Sequence, residues 1–305
     1  MKALRAAALA AALAGCSGAE IGPTAVPASL PPTGREIAAP PVAPAPPASA
    51  EAARLAALQE RLRASGRLRT ERAPADAPYG PAELERNFRR IAFYGELPNG
   101  PAPAGAPVTL GKWRGTVVWH VGGDGARPSD RVKMTRLAAQ LAPLTGLRFE
   151  EAPGARDAIM EIAVLTDAGR RALRDRYAAQ GREEERRLVE RWIAAPTMLC
   201  FAATWRDEDV PGAYDRRALI GIRAELPDLW RESCFDEEVA QALGLINDYD
   251  RARPSVFNDD EEFAFLTTHD EALLRLLYDP RLRPGMTEAE AVPILRRILA
   301  EGAGG

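Results

Sequence analysis

The sequence predicts an α+β domain, a twisted mixed β-sheet with helices packed on its face, and three observations carry that reading. Apolar and β-branched residues between positions 116 and 165 fall in the order strand, helix, strand, strand, which calls for a sheet covered by helices. About 220 residues follow Tyr79, enough for one substantial core. The stretch before Ala50 is dominated by Pro, Ala and Gly and has too few large apolar residues to belong to that core.

The chain opens with Lys2 and Arg5, then an apolar Ala/Leu run from Ala6 to Ala14 that is too short to span a bilayer. Residues 1–15 therefore read as a signal peptide. Leu13-Ala14-Gly15-Cys16 resembles the bacterial lipobox, which implies cleavage before Cys16 and diacylglycerol on its thiol. The resemblance to lipoproteins makes the membrane a partner through that anchor. It also predicts an exported protein facing the periplasm, with Ser17 favouring the outer membrane. Residues 16–50 form a flexible, partly polyproline linker. Residues 51–78 hold one amphipathic helix, marked by Leu55, Leu58 and Leu62, and a short linker before the domain at 79–303.

Within the domain, Pro81 to Phe93 reads as a helix, Thr116 to Val121 as a strand, and Arg131 to Leu144 as a helix ending before Gly146. Leu147 to Glu150 and Ile159 to Leu165 are short strands. Ala168 to Ile193 reads as one long charge-laced helix with a solvated face, and Leu219 to Ile222 as a strand. In the next helix Phe235, Val239, Ala242, Leu243 and Ile246 make an apolar stripe, leaving Glu237, Glu238 and Gln241 on a polar side that lines a cleft.

A formal net charge of −3 provides no basic field for nucleic acid or an anionic surface. Cationic residues are almost all Arg, with Lys2, Lys112 and Lys133 the only lysines. Once Cys16 is lipidated, Cys200 and Cys234 are the one remaining pair in an oxidising compartment, so a disulfide is expected, against a buried free pair or a soft metal site. Closing that loop is worth about 3 kcal/mol in the chain-entropy model.

Glu237-Glu238-Val239-Ala240-Gln241-Ala242-Leu243-Gly244-Leu245-Ile246-Asn247 has the spacing of a zinc-protease helix without its histidines. Glu237 and Gln241 hold the first two ligand positions, Glu238 matches the catalytic glutamate, Gly244 the helix-breaking glycine and Asn247 the third ligand. The two histidines of the chain, His120 and His269, lie elsewhere and read as structural residues, His269 as a surface or cap residue. Pro254-Ser255-Val256-Phe257-Asn258 is similar to a Met-turn with Phe257 in place of Met, and Leu266 to Tyr278 to the family's closing helix, opened by Asp270. These stretches resemble a degenerate metzincin over roughly residues 80 to 280. The strings Cys-x-x-Glu-Glu-x-x-Gln-Ala-Leu-Gly-Leu and Tyr-Asp-Pro-Arg-Leu-Arg-Pro-Gly-Met resemble exported bacterial proteins known only as a domain of unknown function.

The resemblance implies a zinc-less, inactive metalloprotease-like domain, with no cofactor and no catalytic metal, that binds a peptide or an envelope protein. Its alternative is an envelope hydrolase acting on peptide or peptidoglycan, with Glu238 and Asp248 as acid and base or with a non-zinc ion held by Glu237, Gln241, Asn247 and Asp248. Glu237 and Glu238, adjacent on a helix, are expected to point about 100° apart. The acidic run Asp259-Asp260-Glu261-Glu262 lacks the spacing of a calcium loop and reads as a solvated turn.

Overall fold

The computed structural model describes residues 49–96, 104–205, 217–258 and 260–302. The predicted leader, Cys16, nearly all of the linker and Asp259 lie outside these residues. Among the described residues there are five strands and eight helices. The strands are β1 (Thr116–Gly122), β2 (Arg148–Glu151), β3 (Met160–Leu165), β4 (Cys200–Trp205) and β5 (Arg217–Arg223). They form a single sheet in the order β2-β1-β3-β5-β4. The first four run parallel, and β4 is antiparallel to β5 from Cys200 opposite Ile222 to Trp205 opposite Arg217. The mixed sheet expected from sequence is therefore there, with most of its strands parallel.

Alternation along the inner strands separates the two faces. Ile162, Val164, Ile220 and Ile222 enter the larger core, while Ala163, Leu165 and Leu219 enter a smaller one. Because both faces are covered, β5 is apolar almost throughout, as a buried parallel strand requires. Gly221 in β5 serves packing, since a side chain there would collide with the Phe201 ring of β4.

The larger core is closed by α2 (Pro81–Ala92), α3 (Pro128–Thr145), α6 (Asp228–Ala242), α7 (Thr268–Tyr278) and α8 (Glu288–Ala300). Pro at the start and Gly146 in the left-handed conformation at the end delimit α3. Capping boxes open α7 at Thr267 and α8 at Thr287. The smaller core lies under α4 (Asp167–Ala179) and α5 (Glu183–Ala194). These correct the expectation of one long helix over 168–193. Gly181, at φ 68°, ends the first helix, and Arg182 N–H closes back on the Tyr177 carbonyl at 3.0 Å. Glu183, Glu184 and Arg187 form the exposed face expected of this charge-laced stretch, while Tyr177, Leu188, Val189 and Trp192 on the other side are buried against the sheet. Glu185 is buried too, paired with Arg182 and Arg217.

The segment before the domain is built into the same body. In α1 (Ala50–Ala64), Leu55 is fully buried and the Gln59 side-chain oxygen accepts from Trp230 N–H at 3.1 Å. Leu68 and Arg69 then lie beside residues 261–264, bonding the carbonyls of Glu261 and Glu262 at 2.7 and 2.8 Å. None of the described helices is long and apolar enough to cross a membrane.

Candidate functional site

The site is assembled around the second half of α6, whose register is held from three sides. A disulfide joins Cys200, the first residue of β4, to Cys234 in α6, with Cα atoms 6.0 Å apart. Trp113 donates its indole N–H to the Ala242 carbonyl at 2.7 Å, closing the C-terminal end of the helix. Gly244 follows at φ 121°, where a side chain would strike the Gly111 carbonyl, so the chain reverses tightly there. The reversal returns Asp248 to α6, and Gln241 donates its amide to Asp248 at 3.2 Å.

A carboxylate cluster results. Oxygens of Glu237 and Glu238 and the sulfur of Cys200 lie within 4.8 Å of one another, which corrects the expectation that the two glutamates diverge. Long side chains bend, so the angle between adjacent Cα–Cβ bonds on a helix does not decide where the carboxyl groups end. Glu238 and Gln241 are buried and only Glu237 is half-buried, so the polar side of α6 faces protein instead of an open cleft. Burial first, and then Asp248, Glu238, Glu261 and Glu96 in turn, push the Glu237 carboxyl well above the usual carboxylate range. For Glu238 the causes are burial, then Glu96, then Asp248. Its Oε2 is buried without a hydrogen-bond partner.

The expected third ligand position, Asn247, turns aside and donates its amide to the Arg90 carbonyl at 3.0 Å. The residue that faces Gln241 is its neighbour Asp248. Phe257 is fully buried, and its carbonyl accepts from Tyr249 N–H at 2.8 Å. The turn around it is held by Asp270, which accepts from Ser255 Oγ at 2.5 Å and Val256 N–H at 3.1 Å while also capping α7 through Thr267. His269, expected near the surface, is fully buried. It meets the Asn87 amide at 3.0 Å and stands edge-on to Tyr79 with centroids 5.1 Å apart, because the first turn of α7 points into the core. His120 lies apart on β1, with its Nδ1 buried and unpartnered.

Glu96 and Glu261 act on the pair and were not read from the sequence as site residues. No local pattern flags Glu96. Glu261 belongs to the acidic run, which is corrected here: Asp260 is exposed, but Glu261 is half-buried at φ 59° and Glu262 is paired with Arg69 and Arg253.

A zinc bound as in an active metzincin does not fit this donor set. Gln241 and Asn247 offer only neutral amide oxygens, Cys200 is bonded to Cys234 and cannot ligate as a thiolate, and among the described residues no histidine belongs to the group around Glu237 and Glu238. What is left is a buried group of oxygens with strongly interacting carboxyls.

The arrangement is an acidic pair on α6, locked by a disulfide to β4, the last strand of the sheet. The family described as "Protein of unknown function (DUF2927)" matches residues 81–297, and the chain belongs to it. No curated protein and no solved structure matches the chain.

Proposed function

We propose that the chain is a lipid-anchored envelope protein whose metzincin-like body lacks zinc and peptidase activity and serves as a peptide- or protein-binding module. The observation that carries this reading is the contrast between scaffold and ligands. A helix, a glycine reversal and a buried turn supported by Asp270 are all in place, while Gln241 and Asn247 are engaged within the protein. The fold supplies an edge for a ligand: β4 is the last strand of the sheet and its start is fastened to α6 by the disulfide. An extended segment of an envelope protein adds to such an edge by backbone hydrogen bonds, with side-chain pockets setting specificity.

A photocrosslinking residue placed at Thr204 on β4 in growing cells tests this. A discrete adduct with an envelope protein is expected, absent when the same group replaces exposed Glu60 on α1. No adduct from any position along β4 rejects the reading. Anchoring is tested separately by Cys16→Ser, which moves the protein from the membrane to the soluble fraction if the lipobox is used.

One observation favours a second reading, an envelope hydrolase. Glu238 is buried with a raised carboxyl while Asp248 is half-buried and receives a hydrogen bond from Gln241, two different environments of the kind that separate an acid from a base. Turnover of peptide or peptidoglycan that Glu238→Gln abolishes would establish it.

A further inference from the structure

Away from α6, on the face of the sheet that carries the smaller core, charge of the opposite sign collects around a cavity of about 280 Å³. It is lined by the starts of β3 and β5, by the corner between α4 and α5, and by the loop before β3. The lining holds four guanidinium groups, those of Arg156, Arg176, Arg182 and Arg217, against one carboxylate, Glu161. Arg182 and Arg217 share the buried Glu185, and Arg176 reaches Glu161 only at 3.5 Å. Among the described residues Arg156 has no ion-pair partner, so four cations here face two carboxylates. Burial first, and then Arg182, lower the pKa of Arg217, as expected where cations crowd with too little negative charge between them. Tyr177 lines the same cavity and is fully buried, yet its hydroxyl proton has no acceptor. Burial, and then the charge of Glu161, raise its pKa against Arg182 and Arg176, which puts the hydroxyl end of the ring among the lining charges. A buried hydroxyl in that state is seldom retained without a ligand or water to meet it.

We infer that this cavity binds the phosphate group of a small phosphorylated molecule, with the four arginines as counter-charges and the Tyr177 hydroxyl as a neutral donor. Guanidinium groups present paired N–H donors that fit the oxygens of an oxyanion. A phosphate monoester carries close to two negative charges and several acceptor oxygens, which matches the excess of cations over carboxylates and leaves an oxygen for Tyr177. A single carboxylate would satisfy one fork and leave the other guanidiniums and the hydroxyl unmatched. Arg182 and Arg217 are held in place by Glu185, and Arg182 also stacks on the Tyr177 ring, 4.2 Å from its centroid, so this side of the site is formed before a ligand arrives. Arg156 and Arg176 are exposed and can swing onto a bound anion. Glu161 is the one lining group that opposes an anion, and Arg176 offsets it. The size of the cavity limits the ligand to a phosphate with a short organic part. The site does not rest on the reading of β4 as a docking edge.

The test is calorimetric titration of the purified chain with sodium phosphate near neutral pH and at low salt, repeated with citrate as a carboxylate probe. One phosphate per chain is expected, with a dissociation constant at or below about 1 mM, and added sodium chloride weakens it by screening the arginines. Tyr177→Phe removes the hydroxyl alone and is expected to weaken phosphate binding about tenfold or more. The melting temperature of the phosphate-free variant should equal or exceed that of the parent, a combination that a purely structural tyrosine would not give. Arg156→Gln, which has no ion pair to lose, also weakens binding, while Arg61→Gln on the exposed face of α1 leaves it unchanged. The assignment is overturned by the absence of saturable heat up to about 20 mM phosphate. Unaltered affinity in both Tyr177→Phe and Arg156→Gln also overturns it, as does citrate binding with phosphate excluded.

Discussion

Gln241 donates its side-chain amide to Asp248 at 3.2 Å across the chain reversal at Gly244, so a neutral side chain of α6 braces a carboxylate carried back by the returning chain. Hydrogen bonds to charged acceptors are worth roughly 1.5–3 kcal/mol, and Asp248 is half-buried, which places this one at the lower end. Gln241→Leu is expected to lower stability by about 1–2 kcal/mol in urea unfolding. An unchanged midpoint would show that the contact contributes nothing.

Gly244 sits at φ 121° with the Gly111 carbonyl where its Cβ would be. Gly244→Ala combines backbone strain with a collision against main chain that cannot swing away, and is expected to cost about 3 kcal/mol or more. The neighbouring change Ala242→Gly removes only helix propensity and a small buried methyl, so it is the milder control. Equal losses in both variants would contradict this account of the reversal.

The disulfide closes a separation of 34 residues between β4 and α6. The chain-entropy model assigns about 3–4 kcal/mol to such a loop. Cys200→Ser with Cys234→Ser is expected to lose that amount in chemical denaturation, and reduction of the unaltered protein to match it. A double variant as stable as the parent would show that β4 is held to α6 by packing alone.

Lys112 is buried, and its ammonium group donates to the carbonyls of Leu277 and Asp279, both at 3.0 Å. Burial lowers its pKa from 10.5 to about 8, against the favourable charge of Asp279. Between pH 8 and 10.5 the unfolded chain thus binds more protons than the folded one. Stability attributable to this residue rises with pH through that window, and the cost of the buried charge is fully present below it. Compared with Lys112→Met, the parent should gain roughly 3 kcal/mol across the window. The two stability profiles measured from neutral to alkaline pH give the answer, and parallel curves would refute it.

The parts of the fold legible in the sequence were those with strong local causes. Pro81 and Gly146 punctuate helices, although α3 begins at Pro128, ahead of the expected Arg131; the apolar run around Ile162 reads as a buried strand, and Cys200 with Cys234 left little choice of pairing. Gly181 was overlooked as a helix terminator because charged residues on both sides suit a helix, and only the docking of Tyr177 and Trp192 on the sheet shows two helices there. The pattern on α6 was read as one apolar stripe against one polar face, yet Glu238 and Gln241 are enclosed by the returning chain and by β4, which are distant in sequence. Glu96 and His269 show the same limit. What surrounds them is decided by tertiary packing, and no spacing of residues announces it.

The Leu68–Arg69 stretch, which lies beside Glu261 to Ala264 and whose Arg69 carbonyl accepts from Ala264 N–H at 2.8 Å, also has a mechanical meaning. A pull arriving from the N-terminal side meets α1 and then this short backbone clasp, tightened by the ion pairs of Arg69 with Asp76 and Glu262, before it can reach a strand of the sheet. Tension on the leading segment is thus met first at residues 49–79, and α1 hands part of it to the start of α6 through the bond between Gln59 and Trp230.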